Sequence, residues 1–81
     1  MTTYVYILGD HMARRTYVGW TIDLDGRLEK HNTGTGAKST RGGRWRLLYA
    51  ERHRTRSEAM SREWHLKRDR AFRKSLRENC S

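Results

Sequence analysis

Five side chains in this sequence could do chemistry if the fold brought them together: Tyr6, Tyr17, Arg27, His31 and Glu63. The tyrosines lie in the runs Tyr4-Val5-Tyr6-Ile7-Leu8 and Thr16-Tyr17-Val18-Gly19-Trp20, whose β-branched and aromatic residues favour strands that would hold each hydroxyl in place. Arg27 follows Tyr17 by ten residues and Tyr6 by twenty-one, in a segment that reads as a helix. Glu63 is the least ordinary of the five. It lies four residues after Ala59 and three before Leu66, which puts it on or beside the inward stripe of a helix. Desolvating a carboxylate is costly unless a cation accompanies it. Lys67, one turn on, is one candidate cation. A Mg²⁺ or Mn²⁺ ion, which prefers oxygen ligands, is the other. An acid aimed at the binding face of a basic chain would weaken its hold on a polyanion, unless the acid holds a metal. Taken singly, each residue also has a bland role: strand tyrosines pack with their hydroxyls at the rim, and a helical Arg or His is commonly solvated.

The elements that must position these groups follow in order. Residues 4–8 and 16–20 flank Gly9-Asp10 and a polar stretch, the pattern of a hairpin with a longer loop. On the first strand Tyr4, Tyr6 and Leu8 share one face and Val5 and Ile7 the other. Gly19 shares a face with Tyr17 and lets another group approach the backbone. Asp23 is the expected N-cap of a helix running to about Asn32, with Leu24, Leu28 and His31 in one stripe and Gly26 inside it. Residues 33–44 form a glycine-rich basic loop with Lys38, Arg41 and Arg44, groups suited to phosphate contact or to a plain connector. A third strand is expected over Trp45–Glu51, with Trp45, Leu47 and Tyr49 on one face and Leu48 and Ala50 on the other. Thr55 and Glu58 have capping-box spacing for a second helix to about Arg68, with Ala59, Met60, Trp64 and Leu66 as its apolar residues. A last amphipathic helix, about Arg70–Arg77, turns Phe72 and Leu76 inward. The order β-β-α-β-α-α predicts one small α+β domain over residues 1–81, a three-stranded antiparallel sheet flanked by helices.

Composition narrows the partner. The 81 residues hold 18 Lys and Arg against 9 Asp and Glu, a net charge of +9 with a pI near 10.6. Charge of that size on so small a domain points to a polyanion, nucleic acid first. Mean hydropathy is −1.06, enough for one modest core. The lone Cys80 excludes an internal disulfide and, with scattered His, a zinc site. No apolar run approaches the roughly 18 residues of a membrane span, and no leader pattern is visible, so a soluble cytoplasmic protein is expected.

In order and spacing these pieces resemble the GIY-YIG nucleases. Tyr4-Val5-Tyr6 stands where Gly-Ile-Tyr is usual, and Tyr17-Val18-Gly19 carries Val for Ile. Both keep the tyrosine. The resemblance runs on through Arg27, His31-Asn32, Gly36-Ala37-Lys38-Ser39-Thr40-Arg41, Leu47-Leu48-Tyr49 and Glu63 with Lys67. It is greatest to the small single-domain members of the family. It implies a phosphodiester endonuclease in which Glu63 binds Mg²⁺ or Mn²⁺ and Arg27 offsets charge on the phosphoryl oxygens. Tyr6 or Tyr17 would take a proton from the attacking water, with Tyr6 preferred and Tyr17 orienting the water. Arg27 and the metal would lower the phenol's pKa from about 10. His31 would relay the proton or hold a tyrosine hydroxyl. Lys38, Arg41, Arg44 and Lys67 would meet phosphates. The implied substrate is DNA, whether single-stranded, duplex or branched, with RNA also open, in repair or recombination. A homodimer or a helper protein would add contacts. The alternative is a non-catalytic nucleic-acid-binding module of the same fold.

Overall fold

The structure, a computed structural model, describes residues 2–10, 15–33 and 44–79. Three strands, β1 (Thr3–Asp10), β2 (Thr16–Thr21) and β3 (Trp45–His53), alternate with three helices, α1 (Leu24–Thr33), α2 (Arg56–Arg68) and α3 (Arg70–Asn79), in the expected β-β-α-β-α-α order. The sheet is antiparallel with order β2-β1-β3. The most apolar strand, β1, is therefore central and buried almost throughout.

Each sheet face carries its own cluster. Val5, Ile7 and Val18 pack against Ala59 and Leu66 of α2, with Tyr49, Phe72 and Leu76 around them. On the opposite face Tyr6, Leu8 and Trp45 pack with Tyr17 and with Leu24 and Leu28 of α1. The sheet is thus a divider, with α1 on one side and α2 and α3 on the other.

β3 corrects the expected alternation. Ile7 faces Tyr49 but Leu8 faces Leu47, so Leu48 is the extra residue of a β-bulge. The bulge carries Tyr49 across to the Val5–Ile7 face, away from Trp45 and Leu47. Leu48 instead lies over Gly9, where a Cβ would meet its Cδ1 at 2.7 Å. A second correction concerns α2. Met60 and Trp64 are both 54% exposed, so Ala59 and Leu66 alone supply its fully buried residues. The α2 cap is half of the expected box: Glu58 N–H donates to Thr55 Oγ1 at 3.2 Å, while Glu58 Oε2 turns towards His53 Nδ1 at 3.9 Å. Asp69 caps α3 by accepting from Phe72 N–H at 3.1 Å.

Candidate active site

The site begins at one cross-strand pair. Tyr6 lies opposite Gly19. A Cβ on Gly19 would come within 2.7 Å of the Tyr6 hydroxyl and 3.0 Å of the Tyr17 ring. Glycine is required there because the phenol fills that space. Tyr6 is 2% exposed and His31 is fully buried. Their Oη and Nε2 atoms are 2.9 Å apart. The Tyr17 ring centroid lies 4.8 Å from that of His31 and 6.2 Å from that of Tyr6.

His31 and Arg27 reach this point because α1 is pinned at both ends. At its start Gly26 N–H donates to Asp23 Oδ1 at 3.2 Å, and a Cβ on Gly26 would collide with that carboxylate. The helix cost of Gly26 thus accompanies the cap. At its end Asn32 makes two bonds to the backbone of Trp45, from its amide to the carbonyl at 2.9 Å and from Trp45 N–H to its Oδ1 at 2.6 Å. With α1 held, the Arg27 guanidinium comes up beside the Tyr6 hydroxyl and also bears on Tyr17.

The electrostatics follow from burial. Desolvation holds the Tyr6 phenol above its usual value of 10.0; the Arg27 hydrogen bond pulls it down, and Tyr17 and Glu63 push it up again. Arg27 thus acts in the anticipated direction, and among the protein's own groups burial outweighs it. Hydrogen bonding to Tyr6 raises Arg27. Burial, then the charge of Arg27, holds His31 below 6.5. His31 is thus neutral at pH 7. A neutral imidazole accepts at one ring nitrogen, and we assign the phenol proton to the bond with His31 Nε2.

Glu63 comes from α2 and faces this group electrostatically. Its side chain is 21% exposed, and Oε1 sits 3.0 Å from Lys67 Nζ. One of its two expected cations is therefore in contact. Among the described residues no three His, Cys, Asp or Glu side chains converge as a metal cage. A lone carboxylate still suits Mg²⁺, which keeps several waters and is completed by substrate phosphate oxygens. Glu63 fits an ion held in that way. Arg44 is exposed just before β3. Lys38 and Arg41 lie outside the described residues.

A second polar cluster was missed in the sequence. Glu51 accepts from Tyr49 Oη at 2.8 Å and from Arg62 Nε at 3.0 and 3.1 Å, and its Oε2 lies 2.6 Å from His53 Nε2. Burial raises the Glu51 carboxyl, but these hydrogen bonds outweigh it and hold the group below the ordinary carboxylate value. The cluster fastens Arg62, and with it the neighbouring Glu63, to β3. Its signal was the alternation of Tyr49, Glu51 and His53 on one strand face.

Comparison with known proteins agrees with this fold. The GIY-YIG catalytic domain matches residues 2–76. The chain is 46% identical over 66 residues to a UPF0213 protein of Clostridium perfringens, covering 80% of this chain and 70% of that one. It is 43% identical over 72 residues to a UPF0213 protein of Oceanobacillus iheyensis, covering 88% and 83%. The solution NMR structure of a UPF0213 protein from Bacillus halodurans superposes with a TM-score of 0.56 at 38% identity, covering 99% of this chain and 86% of that one. The chain belongs to the GIY-YIG family, a nuclease family whose members act on nucleic acid and generally use divalent metal ions. Among the described residues no helix is long and apolar enough to cross a membrane.

Proposed function

We propose that residues 1–81 act as a single nuclease domain, a metal-dependent endonuclease that hydrolyses phosphodiester bonds in DNA. The observation that carries this reading is Arg27. Among the described residues it pairs with no carboxylate, and the groups that bear on it are the hydroxyls of Tyr6 and Tyr17. A guanidinium held in this way is prepared for an anion from outside the chain.

Glu63 would hold Mg²⁺ or Mn²⁺, which when bound supplies Lewis acidity at the phosphate and the leaving oxygen. Arg27 offsets the charge that grows on the phosphoryl oxygens. Tyr6 works as a relay rather than as a preformed phenolate: its oxygen takes the proton of the attacking water as its own proton passes to neutral His31 Nε2. Arg27, donating to the same oxygen, stabilises negative charge on it during the transfer. Tyr17, less buried than Tyr6 and tilted against the His31 ring, orients the water. Lys67 steadies Glu63 in the resting site. Lys38, Arg41 and Arg44 would add phosphate contacts from the loop.

The test is cleavage of labelled single-stranded, duplex and branched DNA with Mg²⁺, with Mn²⁺ and with EDTA. Metal-dependent cutting that is abolished in Tyr6→Phe and His31→Ala, and is reduced but measurable in Tyr17→Phe, is the expected result. Full activity in Tyr6→Phe would assign the proton transfer to Tyr17. Tight binding without cutting under any metal would make the chain a binding module.

A further inference from the structure

A cavity of about 620 Å³ opens where α3 passes the start of β2, and its wall includes Arg15, Arg70, Arg73, Lys74, Arg77 and Tyr17. We propose that this groove carries the sugar-phosphate backbone of one nucleic-acid strand away from the site, so that α3 sets where the strand lies. The inference takes the identity of the polyanion from the nuclease reading; the groove itself rests on charge and geometry.

The geometry comes from the period of α3. Phe72 and Leu76 pack on the Val5–Ile7 cluster. Arg70, Arg73, Lys74 and Arg77 recur at three- and four-residue intervals and so form one stripe. From Arg70 to Arg77 the stripe rises about 10 Å, the axial run of about three phosphates on one strand. Arg73 is committed to structure. It donates to Thr16 Oγ1 at 3.1 Å and to the Lys67 carbonyl at 2.8 Å, fixing α3 against β2 one residue from Tyr17. Arg15 is held over the Trp45 ring at 5.3 Å and bonds Asp10 at 3.3 Å. Arg70 and Lys74 are exposed and, among the described residues, form no ion pair. The stripe thus joins a fixed frame to two available cations. Tyr17 belongs both to this wall and to the aromatic contacts with Tyr6 and His31, which makes the groove continuous with the site.

The experiment measures binding of a short labelled single-stranded DNA by fluorescence anisotropy across a salt series, in a Glu63→Gln background so that no strand is cut. Arg70→Glu with Lys74→Glu should weaken affinity about tenfold or more and flatten the log–log salt slope by about 1.4 units, two contacts at about 0.7 each on a single strand, with the melting temperature kept. Arg52→Glu with Arg54→Glu makes the same charge change at the opposite end of β3 and should alter affinity by less than about threefold, since only screened long-range attraction is lost. The Arg70→Gln, Lys74→Gln pair repeats the test without reversing charge. Equal losses in the groove and control pairs, or parental binding by both groove pairs, would overturn the groove. Cleavage by the parent is scored separately. A groove effect without any cleavage leaves the groove standing and removes the nuclease reading; cleavage without a groove effect does the reverse.

Discussion

The two faces of the sheet carry polar clusters built from nearly the same residue types. On the α2 side Tyr49, His53 and Arg62 converge on the carboxylate of Glu51. On the α1 side Tyr6, Tyr17, His31 and Arg27 converge, and among the described residues Arg27 pairs with no carboxylate. The first cluster is complete: its cation meets its anion, and the result is a fastening between helix and strand. The second keeps its cation facing phenols, with Glu63 nearby but bonded to Lys67. A guanidinium that meets no carboxylate among the described residues, beside two hydroxyls and an imidazole, is a poor fastening, and on the proposed function it receives phosphate. On the proposed reading, what separates a fastening from a site is the position of one acid, not the kind of residue.

Substitutions should divide along the same line. Arg27→Ala should lower single-turnover cleavage about 10²–10³-fold, as for loss of one transition-state donor, while far-UV circular dichroism stays native. Next, Gly19→Ala should displace the Tyr6 and Tyr17 rings and cost about ten- to hundredfold in cleavage, with a smaller change in stability. On the other face the readout reverses. Glu51→Ala leaves Arg62 and His53 without their acceptor and should destabilise folding by about 1–3 kcal/mol, a fall of about 4–8 °C in Tm per kcal/mol, while the folded fraction still cuts. If Glu51→Ala instead kept its Tm and lost cleavage, the two clusters would have been assigned the wrong way round.

The smallest effect is with pH. His31 holds its proton less tightly than the ordinary 6.5, and the relay needs Nε2 unprotonated. The acid limb of the cleavage profile should therefore have its midpoint below 6.5, with activity falling as pH drops. Stability shares the sign. Below 6.5 the unfolded chain binds a proton that the folded chain refuses, so stability falls with decreasing pH until the folded pKa is reached. An acid limb above 6.5, or one that persists in His31→Gln, would remove His31 from the relay.

The sequence announced the elements because their signals are local: β-branched strands, an Asp23 cap, Thr55 with Glu58, and Phe72 with Leu76 on one helical stripe. The residues that the fold gathers around Tyr6 are singled out through the resemblance to the GIY-YIG nucleases, with Gly19 the one local sign of a close approach. Three things were not legible. The bulge at Leu48 depends on how β3 meets β1, and Gly9 alone does not announce it. The exposure of Met60 and Trp64 depends on which face of α2 meets the sheet, and that face is the one carrying Ala59 and Leu66. The direction of the Tyr6 shift depends on burial, which no spacing reports. The Glu51 cluster lay between these cases, visible as Tyr49, Glu51 and His53 in alternation but unreadable without Arg62 from another element.

The most direct measurement is single-turnover cleavage of one labelled DNA in Mg²⁺ by the parent, Glu63→Gln and Glu51→Gln, side by side with their melting curves. The account predicts cutting by the parent and by Glu51→Gln, the latter with a lowered Tm, and no cutting by a Glu63→Gln protein that melts like the parent. Parental cleavage by folded Glu63→Gln would contradict it.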